Sequence, residues 1–531
     1  MSRLFPSPRA PGNTRLAGGV WLAVLVAGPV LVGLPVGGRV LDPERFVHHV
    51  RWFNAMEPET VTNAIPNAAA WGWLKENIPF FECPDREVET IYYYRWWTFR
   101  KHIVQTPQGF VFTEFLVPVS HAGPYNTISC AAGFHVMEGR WLQNSRLVDD
   151  YLLFWLRGNE GRPQPHLHKY SHWLAAAAQA RTLASGDTAL LAALLPDLQN
   201  DYAAWERERQ RADGLFWQYD VRDGMEESIS GSRSARNIRP TINAYMFANA
   251  RAVAAAARAA GQPALAEEFE RKAARLRALV QEQLWDGPAG FFKVKLPDGS
   301  FSSAREAIGF VPWMFCLPEA GRGFEAAWRQ LTDPQGFRAP FGITTAERRH
   351  PEFRSHGVGT CEWDGAVWPF ATSQTLCALA NLLQEYRQEE VSVRDYFDAF
   401  LTYVRSQQAR GRPYIGEYLD EVTGEWINGK NDRSRYYNHS LFADLVITGV
   451  AGLRPRADDV VEVQPLLPPG TWDWFCLDGI PYHGRQLTIV WDRDGSRYQL
   501  GPGLRVYEDG REIARAERLA PLTGHLTPLR K

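Results

Sequence analysis

Acidic side chains gather in three loops of this chain, and each loop mixes them with aromatic rings. In the first, Phe216, Trp217 and Tyr219 precede Asp223, Glu226 and Glu227, with Gly224 and Gly231 supplying turns. A helical pattern starts at Thr241, so the acids lie on a loop leading into a helix, where binding and catalytic residues collect. A carboxyl group beside indole and phenol rings loses hydration around its charged form. That raises its pKa and lets it donate a proton near neutral pH. The plain alternative is a helix-capping acid in a solvated loop. The second loop, Cys361 to Phe370, places Glu362, Trp363, Asp364 and Trp368 at a helix start, and the third, Tyr414 to Trp426, carries Glu417, Asp420, Glu421 and Glu425. Each alone is weak evidence. Three such loops that precede or link helices are more than a solvated face requires. Glycosidic-bond hydrolysis needs this layout: one carboxyl group protonates the leaving oxygen, a second activates water or attacks carbon, and aromatic faces stack on the sugar.

The loops need a scaffold. Helical periodicity is read at 129–141, 145–156, 168–184, 188–210, 241–260, 263–284, 304–316, 322–331, 365–387, 393–408 and 437–449. Pro84 to Ile103 predicts an earlier helix, with Tyr92, Tyr93, Trp96, Trp97 and Arg100 spread around it, hence buried on more than one side. Residues 107–118 alternate around Gln108-Gly109 as a strand or hairpin. Connections are often short, as antiparallel helix pairs require, and no repeat is visible. The fold class expected is mainly α, an (α/α)6 toroid barrel over 42–454. From 455 to 531 the period becomes two, and Asp494-Gly495 and Asp509-Gly510 signal hairpins, so a small C-terminal antiparallel β module follows.

Composition narrows the partners. A net charge of -2 favours neither nucleic acid nor an anionic membrane. Aromatic residues make up 13% of the chain, with 20 Trp, which suits both a large core and a sugar cleft. The six cysteines are scattered without metal-ligand spacing, so a zinc site is not expected; disulfides and buried thiols both remain open. Residues 1–41 combine Arg3, Arg9 and Arg15 with an apolar run over 18–38 and read as an export signal or N-terminal membrane anchor, giving an exported protein.

Gly-Met-Glu-Glu-Ser at 224–228, Trp-Asp-Gly-Ala-Val-Trp-Pro at 363–369, and Glu-Tyr-Leu-Asp-Glu-Val-Thr-Gly-Glu at 417–425 follow one another in an order that resembles the glycoside hydrolases of family 63 and their mannosylglycerate-hydrolase-like relatives. The resemblance spans roughly 85–450 and includes Tyr437-Asn438-His439-Ser440. It implies an inverting enzyme on an (α/α)6 barrel, with Glu226 as general acid and Glu417 as general base. Three departures stand out. The acid position holds Glu where the family has Asp, which leaves Glu227 and Asp223 as alternative donors. Asp364 replaces an Arg, and Asp420-Glu421 replaces Asn-Pro. Trp96, Arg100, Trp217, Asp223 and Glu227 are candidate substrate contacts, as are Trp363, Asp364, Trp368 and His439.

The expectation is therefore an exo-acting glycoside hydrolase of the α-glucosidase or α-mannosidase kind, acting on a terminal bond of an oligo- or polysaccharide. Neither metal nor organic cofactor is required by this chemistry. Inversion would set the carboxyl groups about 6.5–9.5 Å apart, retention about 5–5.5 Å. A furanosidase or rhamnosidase on the same barrel would keep two acids. A polysaccharide lyase would need a Tyr/His or Tyr/Arg base instead, and a non-catalytic sugar-binding protein would keep only the aromatics. Ordinary ion pairs compete with substrate contacts for Arg95, Arg100 and Lys101. His166, His168 and His172 do not share a helix face and make a poor metal site. For His439 a structural role is the alternative.

Overall fold

The computed structural model describes residues 39–231, 233–355, 361–427 and 432–528. Of the expected signal or anchor at 1–41, all but 39–41 lies outside these. Among the described residues no helix is long and apolar enough to cross a membrane.

The molecule is mainly helical with a small C-terminal antiparallel sheet. Helix pairing follows from where apolar residues sit. Helix Pro263–Gln283 buries Ala266, Phe269, Ala273, Leu276 and Val280, a single stripe at helical spacing. Its antiparallel partner Pro240–Ala259 is buried almost all round, as an inner helix must be. The two are joined through Gly261, whose φ of 70° suits glycine, and Pro263 then opens the second helix. Neighbours continue in order. Ser129–Gly139 packs on Leu174–Ser185, which packs on Pro240–Ala259, then Val311–Met314, then Pro369–Glu385. Pro369–Glu385 meets Leu445–Val450, which continues Phe442–Asp444, and that short helix returns to Ser129–Gly139. Arg86–Lys101, Arg146–Arg157, Thr188–Arg209 and Val393–Ser406 each cover members of this set. The aromatic helix Arg86–Lys101, capped by Asp85, is enclosed by Val47–Ala55, Ala70–Asn77 and strand Phe80–Glu82, so its rings serve the core on several sides.

Several element starts differ from the periodicity. The helix expected from 168 begins at Leu174, because His168 is held by Asp201 and Glu208 and the Ser171 amide donates to Arg222 O. The 304–316 and 322–331 helices are short turns over Ala307–Met314 and Phe324–Thr332, the first with Pro312 in the opening turn of Val311–Met314 and the second preceded by Gly321 and Gly323 at φ 72° and 87°. The 437–449 helix starts only at Phe442, since Asn438 and His439 run extended and bond across to the hairpin side.

In the C-terminal sheet, Trp474–Tyr482, Arg485–Asp492, Gly503–Glu508 and Arg511–Ala516 form a meander. Asp509-Gly510 makes the expected tight turn, with φ 48° and 84°. Asp494-Gly495 does not; it sits within a longer connection whose amides at Gly495, Arg497 and Tyr498 donate to Asp492. The other tight turn is His483-Gly484. One edge of this sheet is strand Phe80–Glu82, paired with Trp474–Tyr482, so the β module is completed from the helical part of the chain. All six cysteines are free thiols.

Candidate active site

The first acid loop is anchored from below. Asp220–Asp223 forms one helical turn that ends at Gly224 in the left-handed region, φ 73°. Asp223 is buried: its carboxylate accepts from Ser171 Oγ at 2.6 Å, from Arg239 Nε at 2.6 Å and from Thr241 Oγ1. Met225 is fully buried beside this network, and the next residue, Glu226, reaches a cavity of about 300 Å³. Glu227 lies at φ 61° and faces a neighbouring cavity instead.

The same 300 Å³ cavity is lined by Glu417. Its loop is stitched to the second acid loop by paired backbone bonds between Leu419 and Val367, at 2.9 and 3.0 Å. Glu417 accepts from Arg433 Nη2 at 2.9 Å and Ser434 Oγ at 3.0 Å. Between the acids runs a stack of rings. Trp368 lies on Tyr418 at 4.6 Å and on Trp363 at 4.7 Å, and its indole donates to Glu362 O. Trp368 faces the cavity, while Trp363 supports it from behind.

A third acid, Glu114, lines the cavity with Tyr437 and His439. Glu114 Oε1 is 2.8 Å from His439 Nδ1, which is also 3.0 Å from the Tyr437 hydroxyl. The His439 ring packs against Phe370 at 3.7 Å and Phe134 at 4.2 Å, and its burial holds it well below the usual imidazole range. Burial pushes Glu114 up to about 7, opposed by its hydrogen bond to Tyr437. Glu226 is likewise pushed up to about 7, first by loss of hydration and also by the negative charge of Glu417, against the pull of Arg233. Glu417, by contrast, is ion-paired with Arg433. The cavity thus joins a buried carboxyl group pushed up to about 7 with one that is ion-paired to a guanidinium.

The other candidate contacts lie elsewhere. Trp96 is core, and Arg100 is buried, donating to Ile65 O and Asn67. Trp217 is sandwiched between Arg209 and Arg236. Asp223 is the buried anchor described above, unsuited to exchange a proton with a substrate. Asp364 is fully buried, with its carbonyl accepting from the Arg354 amide; the cation of that region is Arg354, paired with Glu362 and Glu421. Of the nine contacts named from sequence, Trp368 and His439 line the cavity. Those not named include Glu114, Arg233, Arg433 and Tyr437. Glu114 carried one signal, a lone acid within the alternating apolar run Phe110 to Leu116.

Among the described residues, three groups of metal-ligating side chains have their ligand atoms within 4.8 Å of one another: His48, His49, Glu89; His168, His172, Asp201; and Glu114, Cys130, His439. The second unites histidines that a single helix could not, because 167–173 is not an α-helix. In it, Asp201 accepts from His168 and Trp205 donates to His172, which makes it a hydrogen-bonded buttress for Tyr170 and Ser171.

A chain named sialidase is 50% identical, with a TM-score of 0.90 over 91% of this chain, which spans only 45% of that longer one. A family 63 mannosylglycerate hydrolase from Thermus thermophilus is 16% identical, with a TM-score of 0.51 over 67% of this chain and 100% of its own. A family 78 rhamnosidase of Bacillus sp. GL1 is 14% identical, with a TM-score of 0.56 over 81% of this chain and 41% of its own. The last two share the fold. The model of the glycosyl hydrolase family 65 C-terminal domain matches residues 453–515. The model of the mannosylglycerate hydrolase MGH1-like glycoside hydrolase domain matches residues 124–440, more than half the chain, so the chain belongs to that family.

Proposed function

We propose that the protein removes a terminal sugar from an oligo- or polysaccharide with inversion, Glu226 acting as general acid and Glu417 as general base. We propose also that its helices close into an (α/α)6 toroid, a reading supported by the circuit of neighbours that returns to Ser129–Gly139. The observation that carries the functional reading is that Glu226, pushed up to about 7 by burial, and Glu417, ion-paired with Arg433, face one cavity. Glu226 gives its proton to the glycosidic oxygen. Glu417, oriented by Arg433 and Ser434, draws a proton from water attacking the other face of the sugar. Trp368 offers a flat face for the ring. The cavity volume, at the low end of the about 300–1,000 Å³ of small-molecule sites, supports one terminal sugar and hence exo action.

A second reading has a specific observation behind it. Sialidases use a tyrosine nucleophile, and the Tyr437 hydroxyl and the buried carboxyl of Glu114 both contact His439 Nδ1 in the same cavity. The relative named sialidase supports this reading. Tyr437 would then attack carbon with Glu114 taking its proton, and the configuration would be retained.

Hydrolysis of a panel of aryl glycosides, including those of mannose, glucose, rhamnose and sialic acid, separates the two. The first product anomer is read by proton NMR. The inverting reading predicts the opposite anomer and persistent activity in Tyr437→Phe. A retained anomer and a loss of more than about a hundredfold in Tyr437→Phe would replace it with the second reading.

A further inference from the structure

Beside the catalytic cavity lies a second one of about 310 Å³, lined by Asp220, Glu227, Ser228, Gly231, Arg233 and Glu352, among others. Arg233 lines both. The first acid loop divides its side chains between them: Val221 and Glu226 face the catalytic cavity, while Asp220 and Glu227 face the second. The left-handed backbone at Glu227, φ 61°, accompanies this division at the step from Glu226. We infer that the second cavity receives the leaving group of the substrate, as a neutral, hydroxyl-rich sugar residue. This deepens the glycosidase reading above and rests on it.

Three observations lead there. The oxygen protonated by Glu226 belongs to the leaving group, so that group must stand next to Glu226 and away from the terminal sugar; the second cavity opens at the following residue and shares Arg233 as its rim. Its volume matches that of the first, room for one further ring. It also presents an unused hydrogen-bonding group. Ser228 is only 7% exposed, and its hydroxyl has no hydrogen-bond partner among the described residues. A buried hydroxyl left so is unfavourable and is commonly satisfied by a ligand or water.

The chemical class follows from charge. Among the described lining residues, Asp220, Glu227 and Glu352 set three acids against the guanidinium of Arg233, which pairs with Glu227. An anionic leaving group, such as a glycerate, a uronate or a sugar phosphate, meets repulsion there, whereas hydroxyl groups find acceptors. The substrate is then at least a disaccharide whose second unit carries no negative charge.

Glu352 is exposed, so reversing its charge leaves the core untouched. The full chain is assayed first on the glycosyl fluorides of mannose, glucose, rhamnose and sialic acid, which place only fluoride beyond Glu226. For the sugar that is cleaved, kcat/KM is then compared on two disaccharides, one with a neutral second sugar and one with its uronate, in wild type and Glu352→Lys. The expected result is a wild-type preference for the neutral substrate that falls about tenfold in Glu352→Lys, with Ser228→Ala raising KM for the neutral disaccharide. An unchanged ratio alongside fluoride hydrolysis would overturn the second-cavity assignment and leave the glycosidase reading standing. If no fluoride and no disaccharide is cleaved, the glycosidase reading falls and this inference falls with it.

Discussion

Glu226 and Glu417 are the same side chain in different surroundings. Glu226 is poorly hydrated and is pushed up to about 7, against the pull of Arg233; Glu417 is paired with Arg433. On the proposed assignment Glu226 must be protonated to donate, so activity on natural substrates is expected to fall as pH rises past about 7. Glu417→Gln removes the negative neighbour that raises Glu226, so carboxyl carbon NMR should show Glu226 titrating lower in that variant. An unmoved titration would mean that the two carboxyl groups do not feel each other. Glu114 offers a stability test. Its folded value, about 7, exceeds that of an unfolded glutamate, so folding favours its protonated form. That contribution is fully present at low pH and is lost as pH rises through about 7. Glu114→Gln, which cannot ionise, should therefore melt higher relative to wild type at pH 8 than at pH 5. A difference independent of pH would contradict the assignment.

At the scale of elements, the three acid loops are held by different means. The first rests on the buried Asp223–Arg239 pair, with Ser171 and Thr241 completing the hydrogen bonds to the carboxylate. Asp223→Ala leaves Arg239 buried and uncompensated, which costs about 3–5 kcal/mol; chemical denaturation should show that loss, whereas a surface acid would show almost none. The second and third loops are joined by the Val367–Leu419 bonds and the Trp363–Trp368–Tyr418 stack. Trp368→Ala removes the middle ring and a cavity face together, and about a tenfold or greater loss of kcat/KM is expected. The loops themselves were legible in sequence because acid, aromatic and glycine residues cluster locally there. Helices Pro240–Ala259 and Pro263–Gln283 were legible for a similar reason, since periodicity and Gly261-Gln262-Pro263 are local signals. Local pattern alone left Asp223, Glu226 and Glu227 open, and the resemblance picked out Glu226, which lines the cavity. Asp223 and Glu226 are three residues apart, and Ser171, Arg239 and Thr241, remote in sequence, hold Asp223 inward. Glu114 escaped for the same reason: its partner His439 is 325 residues away.

At the scale of the molecule, the boundary near 454 divides the sequence pattern but not the packing. Strand Phe80–Glu82 completes the C-terminal sheet, and Glu82 binds Arg45, Arg497 and Tyr498 at once. Leu41 donates from its backbone to Asp478. A chain ending at 454 would expose Phe80 and Phe81 and leave an unpaired strand edge, a template for aggregation. We expect it to be insoluble, while the full chain melts in one transition; a soluble, helical and active 42–454 fragment would show the two parts to be independent. The period-two signal beyond 455 marked the module, but the pairing of residue 80 with residue 478 is a long-range contact that no local pattern carries.

The acid–base assignment is tested most directly by leaving-group dependence. Wild type, Glu226→Gln and Glu417→Gln are compared on a natural-type disaccharide and on the matching glycosyl fluoride, whose leaving group needs little protonation. The account predicts that Glu226→Gln loses more than about a hundredfold on the disaccharide yet keeps most of its rate on the fluoride, while Glu417→Gln loses both. Equal losses on both substrates in Glu226→Gln, or full activity in Glu417→Gln, would contradict it.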